Sequence, residues 1–502
     1  MAIQSRNSVL AVLVETTEGT PVPPSAATDF IAIQDDFTMS PEFAVLENAE
    51  LTGSLGPSKS ILGIEQPSAS FSHYLRHSGT EGQAPGYGDL LEAAFGNEDV
   101  EATEYDTIAG STTTAVKVDT GEGTNFRPLQ ALLIKDGTNG YSIRPIESIS
   151  SDDLELLFAV ATAPGTGVNL GKAVTYYPAE TGHQTLSIWN YVGNSGAIQL
   201  MAGSRVTDFS VTIDAGELIN ASYTLEGVEY FYDPIEIEAT DIYLDFTDDD
   251  GTFAAQITAQ MYKTPHDLAE ALTTAMNGTA TTETHSVTYS DSTGKFTIEN
   301  TTGATLSLLW STGANTANTV GDKIGFTVSA DDTGALTYTS DDAQDYSAPY
   351  TPSFDSADPL VAKDNLCMIG DQEDYECFEA SSVGFSMSTP KRNIESICAE
   401  SGVSGSIINS REISITVSAL LNQYDVDKFQ RFKENTTTRF AYIAGKKSGG
   451  NWQAGKCLCL ASPSATITSF ALEDDDGLVS LSMTLSVFVN SDGDDEAAIS
   501  FV

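Results

Sequence analysis

Two histidines have a spacing that could serve a metal ion. His73 and His77 are four residues apart, and on a helix that spacing places two ligands on one face. They fall in or just after a pattern of alternating polar and apolar residues, which is typical of a strand, and they lack a Glu-x-x-His context. We therefore expect both to be ordinary surface or interface residues.

Two acidic runs have a composition that suggests calcium binding. They are Asp248-Asp249-Asp250-Gly251 and Asp474-Asp475-Asp476-Gly477. An EF-hand loop needs acidic residues at its first, third and fifth positions before the glycine. Phe246 and Leu472 occupy the first position here, so the template fails. Acidic glycine turns between paired strands account better for both runs.

The five cysteines do not form a recognisable site. Their odd number, and their restriction to the last third of the chain, argue against a secreted disulfide framework. Cys457 and Cys459 are two apart and share a face of a predicted strand, and zinc knuckles use Cys-x-x-Cys pairs instead. A phosphate-binding glycine loop and a Ser/His/Asp order are also missing. The sequence thus predicts no catalytic, cofactor-binding or metal-binding residue. The cysteines are Cys367, Cys377, Cys398, Cys457 and Cys459.

Composition limits the class of protein. The chain has 502 residues, and its hydrophobic content of 40% can support several folded cores. Abundant Ser, Thr, Gly, Asp and Val indicate a mainly β protein. A net charge of −48 argues against binding to phosphate backbones, and it favours solubility or a surface that repels DNA.

The N-terminus resembles a signal peptide only superficially. Arg6 precedes the apolar run Val9–Val14, but the run is short, Glu15 interrupts it and no small-residue cleavage site follows. We predict a strand or an extended arm. No window contains 18 apolar residues, so we expect no membrane span.

A set of elements occurs twice in the same order, which favours an internal duplication. The order is a strand, a polar glycine-containing segment, an alternating strand, a short helix, a hairpin, and two strands around an acidic turn. Chance similarity between alternating strands is the alternative, because sequence identity is low. The first set is 37–40, 69–75, 87–95, 185–200 and 206–232, and the second is 385–388, 413–418, 424–432, 438–460 and 465–489.

The duplication implies a segmented, mainly β architecture with two sandwich or barrel folds, each carrying one short helix. Two further modules have no counterpart in the other copy. The predicted segments are an N-terminal arm at 1–30, a first domain at 31–97 with 184–234, an inserted β-barrel or sandwich at 98–183, an α+β module at 235–345, a linker at 346–370, and a second domain with a C-terminal tail at 371–502.

The α+β module has the clearest helix signal in the chain. Thr264 can cap its start, Pro265 suits the first turn and Gly278 ends it.

Part of the chain resembles the tail tube proteins of phages with long, non-contractile tails. The resemblance covers the first 97 residues well, covers 184–234 and 372–492 by pattern only, and leaves out 98–183 and 235–345. The residues that carry it are Ser8 to Pro21, Asp29 to Gln34, Phe71 to Arg76 and Tyr87 to Leu91.

The resemblance implies two packed sheets and a short helix in each tube fold, with six folds in a ring. The rings stack into a tube around a β-lined channel, and loops at 41–68 and 389–412 join one ring to the next. A duplicated fold implies a homotrimeric, pseudo-hexameric ring. It also implies a virion protein assembled in the host cytoplasm. Its partners would be itself, a tape measure protein and tail terminator and tip proteins, with DNA passing through the lumen without specific binding.

Two other classes share some of these features. A secreted, adhesin-like array of surface β-domains would share the acidity and the modules, but it predicts a secretion signal and consecutive equivalent repeats. A β-rich glycosidase would need a pair of catalytic carboxylates in a cleft, and nothing in the sequence marks such a pair. The sequence therefore favours a structural tail protein that is not an enzyme and is not bound to a membrane.

Overall fold

The structure is a computed structural model that describes residues 5–50, 58–420, 426–475, 477–490 and 493–502. Strands make up 49% of the chain and helices 9%, so the prediction of a mainly β protein is confirmed. The chain divides into two compact units. The first contains 1–11, 188–202 and 229–351, and the second contains 12–187, 203–228 and 352–502.

The elements alternate between strands and short connections over the whole described chain. The α-helices are α1 (Gly88–Phe95), α2 (Pro265–Asn277) and α3 (Val426–Glu434). The strands to the end of the first duplicated set are β1 (Val9–Val14), β2 (Phe30–Ile31), β3 (Thr38–Ser40), β4 (Phe43–Leu46), β5 (Ile61–Glu65), β6 (Ser68–Tyr74), β7 (Gly96–Glu101), β8 (Tyr105–Asp106), β9 (Ala115–Lys117), β10 (Ala131–Asp136), β11 (Gly140–Ser150), β12 (Asp153–Leu156), β13 (Asn169–Leu170), β14 (Ala173–Pro178), β15 (Leu186–Val192), β16 (Ala197–Asp214), β17 (Asn220–Glu226) and β18 (Glu229–Tyr232).

The later strands continue the same numbering. They are β19 (Ile235–Ile237), β20 (Tyr243–Asp248), β21 (Gly251–Gln256), β22 (Gln260–Tyr262), β23 (His285–Ser290), β24 (Lys295–Asn300), β25 (Leu306–Leu308), β26 (Asp332–Ala335), β27 (Thr337–Thr339), β28 (Leu366–Gly370), β29 (Tyr375–Cys377), β30 (Ala380–Ser388), β31 (Lys391–Glu395), β32 (Val403–Ile408), β33 (Glu412–Leu420), β34 (Thr438–Ser448), β35 (Asn451–Asp475), β36 (Leu478–Val487) and β37 (Ala498–Phe501).

Two extended layers of strands lie in the second unit. One layer is an antiparallel sheet in the order β3-β6-β17-β16-β30-β33-β36-β35. The other runs β7-β14-β37-β35-β34-β28-β29. The long strand β35 belongs to both layers because its first half pairs in one and its second half in the other.

Helix α1 packs against the second layer through β7 and β14. Leu90, Leu91 and Phe95 are fully buried, as expected for the apolar stripe of a surface helix. The helix ends where Gly96 adopts a left-handed conformation with φ of 110°, which glycine does without steric cost. The predicted helices at 87–95 and 424–432 correspond to α1 and α3, with 424–425 outside the described residues.

The segment between β7 and β14 contains a sheet of its own. Six strands pair in the order β8-β13-β10-β11-β12-β9. Side chains of these strands and their connections form a separate apolar core, which includes Val116, Phe126, Ile146 and Leu154. A β-rich insert therefore lies between β7 and β14, and its boundaries at 98–183 stay a prediction.

Residues 229–351 of the first unit combine helix α2 with small antiparallel sheets. The sheets are β19-β22, β21-β20-β25-β26 and β23-β24-β27. Thr264 caps α2 by accepting the backbone N–H of Asp267, Pro265 is the first helical residue and Gly278 follows the last. The predicted helix and its capping residues are confirmed.

The two histidines singled out in the sequence lie in the core of the second unit. His73 is 2% exposed and His77 is 3% exposed, so the expectation that they lie at the surface is wrong. The His73 ring stacks on Tyr223 with centroids 5.5 Å apart, and burial lowers its pKa to about 4. The alternation Ala69, Phe71, His73 already placed this ring on the apolar face of β6.

Within the described residues, none of the helices is long and apolar enough to cross a membrane. The five cysteines are not joined by disulfides. Cys457 and Cys459 are both buried in β35, where desolvation raises the pKa of each thiol to about 12. They behave as packed apolar side chains, in agreement with the strand interpretation.

Candidate functional site

The eight-stranded sheet of the second unit consists of two halves with the same strand order. The first half runs β3-β6-β17-β16, and the second runs β30-β33-β36-β35. Each half uses its strands in the same chain order, with the first strand next to the second and the fourth next to the third. This repeated topology supports the duplication that the sequence suggested.

A β-bulge occurs at the same place in both halves. The register shifts between Val206 and Asp208 in β16 and at the corresponding point of β35. In each case the extra residue is a threonine whose hydroxyl donates to a carbonyl of the neighbouring strand. Thr207 Oγ1 lies 3.3 Å from the Thr224 oxygen, and Thr468 Oγ1 lies 3.3 Å from the Thr484 oxygen. Bulges are specific local features, so this match is stronger evidence of duplication than shared alternation.

The bulge fixes which residues are equivalent in the two halves. In the first half, the pairing leads from Leu225 beside the bulge to Ala69 in β6 and then to Met39 in β3. In the second half, it leads from Leu485 to Ile415 in β33 and then to Phe385 in β30, so Met39 is equivalent to Phe385. The sequence comparison instead aligned Phe37 with Phe385, so the alignment of this first strand was wrong by two residues. Because side chains alternate with a period of two, a shift of two keeps the same face, and the pattern alone could not detect it.

The two halves join through an antiparallel junction between β16 and β30. Seven residue pairs form it, from Asp208 opposite Ser388 to Asp214 opposite Ser382. The aromatic core is continuous across this junction. The Phe95 ring of helix α1 lies 5.7 Å from Phe209 and 6.3 Å from Phe385, between ring centroids.

The two outer edges of the sheet are the counterparts of that junction. Strand β3 is equivalent to β30, and the second half of β35 is equivalent to β16. In the part of the chain that the structure describes, β3 pairs only with β6, and β35 beyond Ala465 pairs only with β36. Leu472 takes the position of Val211, yet 47% of Leu472 is exposed and only 2% of Val211. The missing neighbouring strand accounts for this difference.

One face of this sheet is polar and bears acidic groups. Serine and threonine hydroxyls dominate it, and some pair across strands, as do Thr38 and Ser70 at 2.8 Å and Ser386 and Ser414 at 2.9 Å. The strand segments 38–40, 68–74, 208–214, 220–226, 382–388, 412–420, 466–475 and 478–487 contain no lysine or arginine. The exposed carboxylates on this face are Asp208, Asp214, Glu226, Glu412 and Glu473.

Each half also contains a two-stranded hairpin between its first and second strands. The first hairpin pairs β4 with β5, and the second pairs β31 with β32. They fall in the loops predicted at 41–68 and 389–412, of which 51–57 lie outside the described residues. Both present large apolar side chains to solvent, namely Phe43, Val45, Leu46, Ile61, Leu62, Ile394, Ile397 and Ile407.

Comparison with known proteins identifies a family for part of the chain. Residues 5–235 match the family model described as phage tail tube protein, which covers the first duplicated set of elements and the insert within it. No curated protein matches the sequence significantly.

One solved structure that matches is titled "Virion of native gene transfer agent (GTA) particle". The likeness covers 25% of this chain and 92% of that one at 15% identity, with a TM-score of 0.19. A score this low does not support an argument about the fold. Residues 5–235 therefore match the phage tail tube family, and this match supports a structural protein of the virion that is not an enzyme.

Proposed function

We propose that the chain polymerises into stacked rings that form the tube of a long, non-contractile phage tail, through which DNA is ejected. The observation that carries this proposal is the junction between β16 and β30. It supports the proposal because the edge strand of the first half, β16, pairs with the edge strand of the second half, β30, within one chain. The same geometry between chains joins β35 of one chain to β3 of its neighbour.

The register proposed between chains is taken from the internal junction. Val211 lies opposite Phe385, and Ser210 lies opposite Ser386. Substituting the equivalent residues places Leu472 of one chain opposite Met39 of the next, and Ala471 opposite Ser40. This contact covers the exposed part of Leu472 and pairs both open edges, which would otherwise be a liability in a soluble protein.

A ring of three chains satisfies this pairing. Each chain contributes eight strands to the sheet, so three chains close a barrel of 24 strands with six tube folds. The interface is heterologous, because each chain uses one edge to bind the other edge of its neighbour, and such contacts generate rings when the rotation closes. The two halves differ in sequence, so the ring has threefold symmetry that only approximates sixfold.

The polar face of the sheet would then line the channel. Hydroxyls and carboxylates without lysine or arginine repel a phosphate backbone and offer it no counter-charge. Three chains have a formal net charge of −144, which is −48 from each chain. DNA passes such a surface without specific binding.

The hairpins β4–β5 and β31–β32 would make the contacts between rings, because their apolar side chains are exposed in the single chain and such patches mark interaction sites. The modules at 98–183 and 235–345 would be decorations that the ring does not need. A tape measure protein and tail terminator and tip proteins are the further partners that this role requires.

A cysteine cross-link tests the register directly. Met39→Cys with Leu472→Cys, in a chain whose exposed Cys377 and Cys398 are changed to serine, should form disulfide-linked trimers on oxidation. The control pair Met39→Cys with Glu473→Cys places the second thiol on the opposite face and should not. An averaged electron-microscopy map must show threefold symmetry. Six chains per ring, or equal cross-linking of both pairs, would refute the proposal.

A further inference from the structure

Three potential metal ligands lie close together within residues 229–351. None of them belongs to the strands of the eight-stranded sheet. Asp248 ends β20, His285 begins β23 and Glu283 lies two residues before it. One ligand atom from each residue lies within 4.8 Å of the other two. The closest pair is His285 Nε2 and Asp248 Oδ2, at 3.6 Å.

His285 is the observation that points to a ligand. Its side chain is fully buried, and neither ring nitrogen has a hydrogen-bond partner in the described part of the chain. A buried polar group without a partner costs free energy, so native proteins rarely leave one.

The two carboxylates are held in place by their neighbours. Asp248 accepts hydrogen bonds from Thr281 Oγ1 at 2.6 Å and from the Asp250 backbone at 2.9 Å. Glu283 accepts one from Asn300 Nδ2 at 2.5 Å. Such supporting bonds orient the ligands of a metal site. Among the described residues, neither carboxylate forms an ion pair with lysine or arginine, and the only basic group near Asp248 is His285.

Glycine at position 303 leaves room for Glu283. An ideal Cβ at Gly303 would lie 2.1 Å from Glu283 Oε2 and 2.3 Å from Asn300 Nδ2, distances at which atoms cannot coexist. A side chain there would displace the carboxylate from its position beside Asp248 and His285. The turn at 303 is therefore part of the construction of the cluster.

We propose that Asp248, Glu283 and His285 bind one divalent transition-metal ion, with Zn²⁺ the preferred ion. Zinc accepts imidazole nitrogen and carboxylate oxygen, and sites with three protein ligands complete a tetrahedron with water. Calcium and magnesium prefer all-oxygen sites, so the buried imidazole argues against them. The ion joins the β20–β21 hairpin to β23 and serves to hold this module together.

The test uses the full chain, stripped with EDTA and dialysed, then titrated with ZnCl₂ in a calorimeter and measured for metal content by mass spectrometry. We expect one zinc per chain and a higher melting temperature with zinc than without. Asp248→Asn and His285→Gln should each weaken binding by on the order of 100-fold, at least as much as the loss of a supporting residue. His266→Gln is the matched control, because His266 is exposed and pairs with Asp291 in the same module.

Cobalt(II) in place of zinc identifies the ligands. A visible spectrum of a four-coordinate ion without a thiolate charge-transfer band supports the proposal, whereas such a band would assign the metal to Cys377 or Cys398. If a substituted chain fails to fold, the wild-type stoichiometry and spectrum still decide. Failure of the wild-type chain to bind equimolar zinc, or unchanged binding in Asp248→Asn, would overturn the site.

Discussion

The contact between Leu472 of one chain and Met39 of the next is the most directly testable consequence of the proposed ring. The perturbation is Leu472→Asp, which leaves the single chain nearly unchanged because 47% of Leu472 is already exposed. In the ring this residue takes the environment of Val211, which is 2% exposed. The substitution therefore affects the interface much more than the fold.

The magnitude follows from two contributions. Full burial of a leucine side chain stabilises a folded protein or an interface by about 1.5–3 kcal/mol. Somewhat less than half of Leu472 becomes buried at the contact between chains, so removing this leucine weakens the contact by about 1 kcal/mol. An aspartate at this position must lose water or take up a proton, and protonation at pH 7 costs at most about 4 kcal/mol from its ordinary pKa of about 3.9. Together the two contributions give a loss between about 1 and 5 kcal/mol, and we use the middle of this range, about 3 kcal/mol for each junction between chains. This loss corresponds to about a 100-fold weaker association.

The assay compares the critical concentration for assembly by light scattering and sedimentation velocity. Leu472→Asp should raise that concentration by about 100-fold and leave the melting temperature of the single chain within about 2 °C. Lowering the pH to 5 should recover part of the loss for aspartate and none for Leu472→Asn. Leu336→Asp is the matched control, because Leu336 is a 38% exposed leucine in the α+β module. Equal critical concentrations for wild type and Leu472→Asp would refute the junction.

Three further predictions concern the modules, the hairpins and helix α3. Replacing 98–183 or 237–345 with a Gly/Ser linker should leave tubes of smaller outer diameter in electron micrographs, and loss of assembly by a folded remainder would contradict the decorative role. Deleting Glu47 to Ser60 should leave soluble chains or single rings that do not stack, so long tubes at normal yield would show that this loop is misassigned. Arg431 Nη2 lies 2.7 Å from Asp371 Oδ2 and holds the pKa of that carboxyl below its usual value. The stabilisation by the Arg431–Asp371 ion pair is therefore fully present above the pKa that Asp371 has in the unfolded chain. It is lost as the pH falls through the lower pKa that Asp371 has in the folded chain. Asp371→Asn should cost at most about 1 kcal/mol in urea unfolding at pH 7, because the carboxylate is half exposed, and the difference should vanish near pH 2.

Local features of the fold could be predicted because local residues determine them. The capping of α2 by Thr264 and Pro265 and the turn after Asp248 depend on neighbours within a few positions. The alternation in β6 likewise defines which side chains share a face. The burial of His73 was not predicted because histidine is a polar residue type. Its position in the alternation, on the same face as Phe71 and Ala69, already indicated that it is buried.

The pairing of strands could not be predicted in the same way. The β16–β30 junction joins Val211 to Phe385 across 174 positions of sequence, and alternation permits any register that shifts by two. Only the bulges at Thr207 and Thr468 decide between registers that differ by two residues. A bulge cannot be recognised from the pattern of apolar and polar residues. The closeness of Asp248 to His285 could not be predicted for a related reason, since the two residues lie on strands that do not pair with each other.

The proposed duplication would also let the chain carry different decorations without symmetry-related crowding. In a ring built from six identical folds, any insertion appears six times and must fit against its own copies. Two fused and diverged folds need only preserve the features that make the junction, which are the strand order, the bulge threonine and the apolar side chains of one face. The β8–β13 sheet interrupts only the first copy, so it would occur three times in each ring. Its position between β7 and β14, outside the eight-stranded sheet, leaves the strand edges free to close the ring.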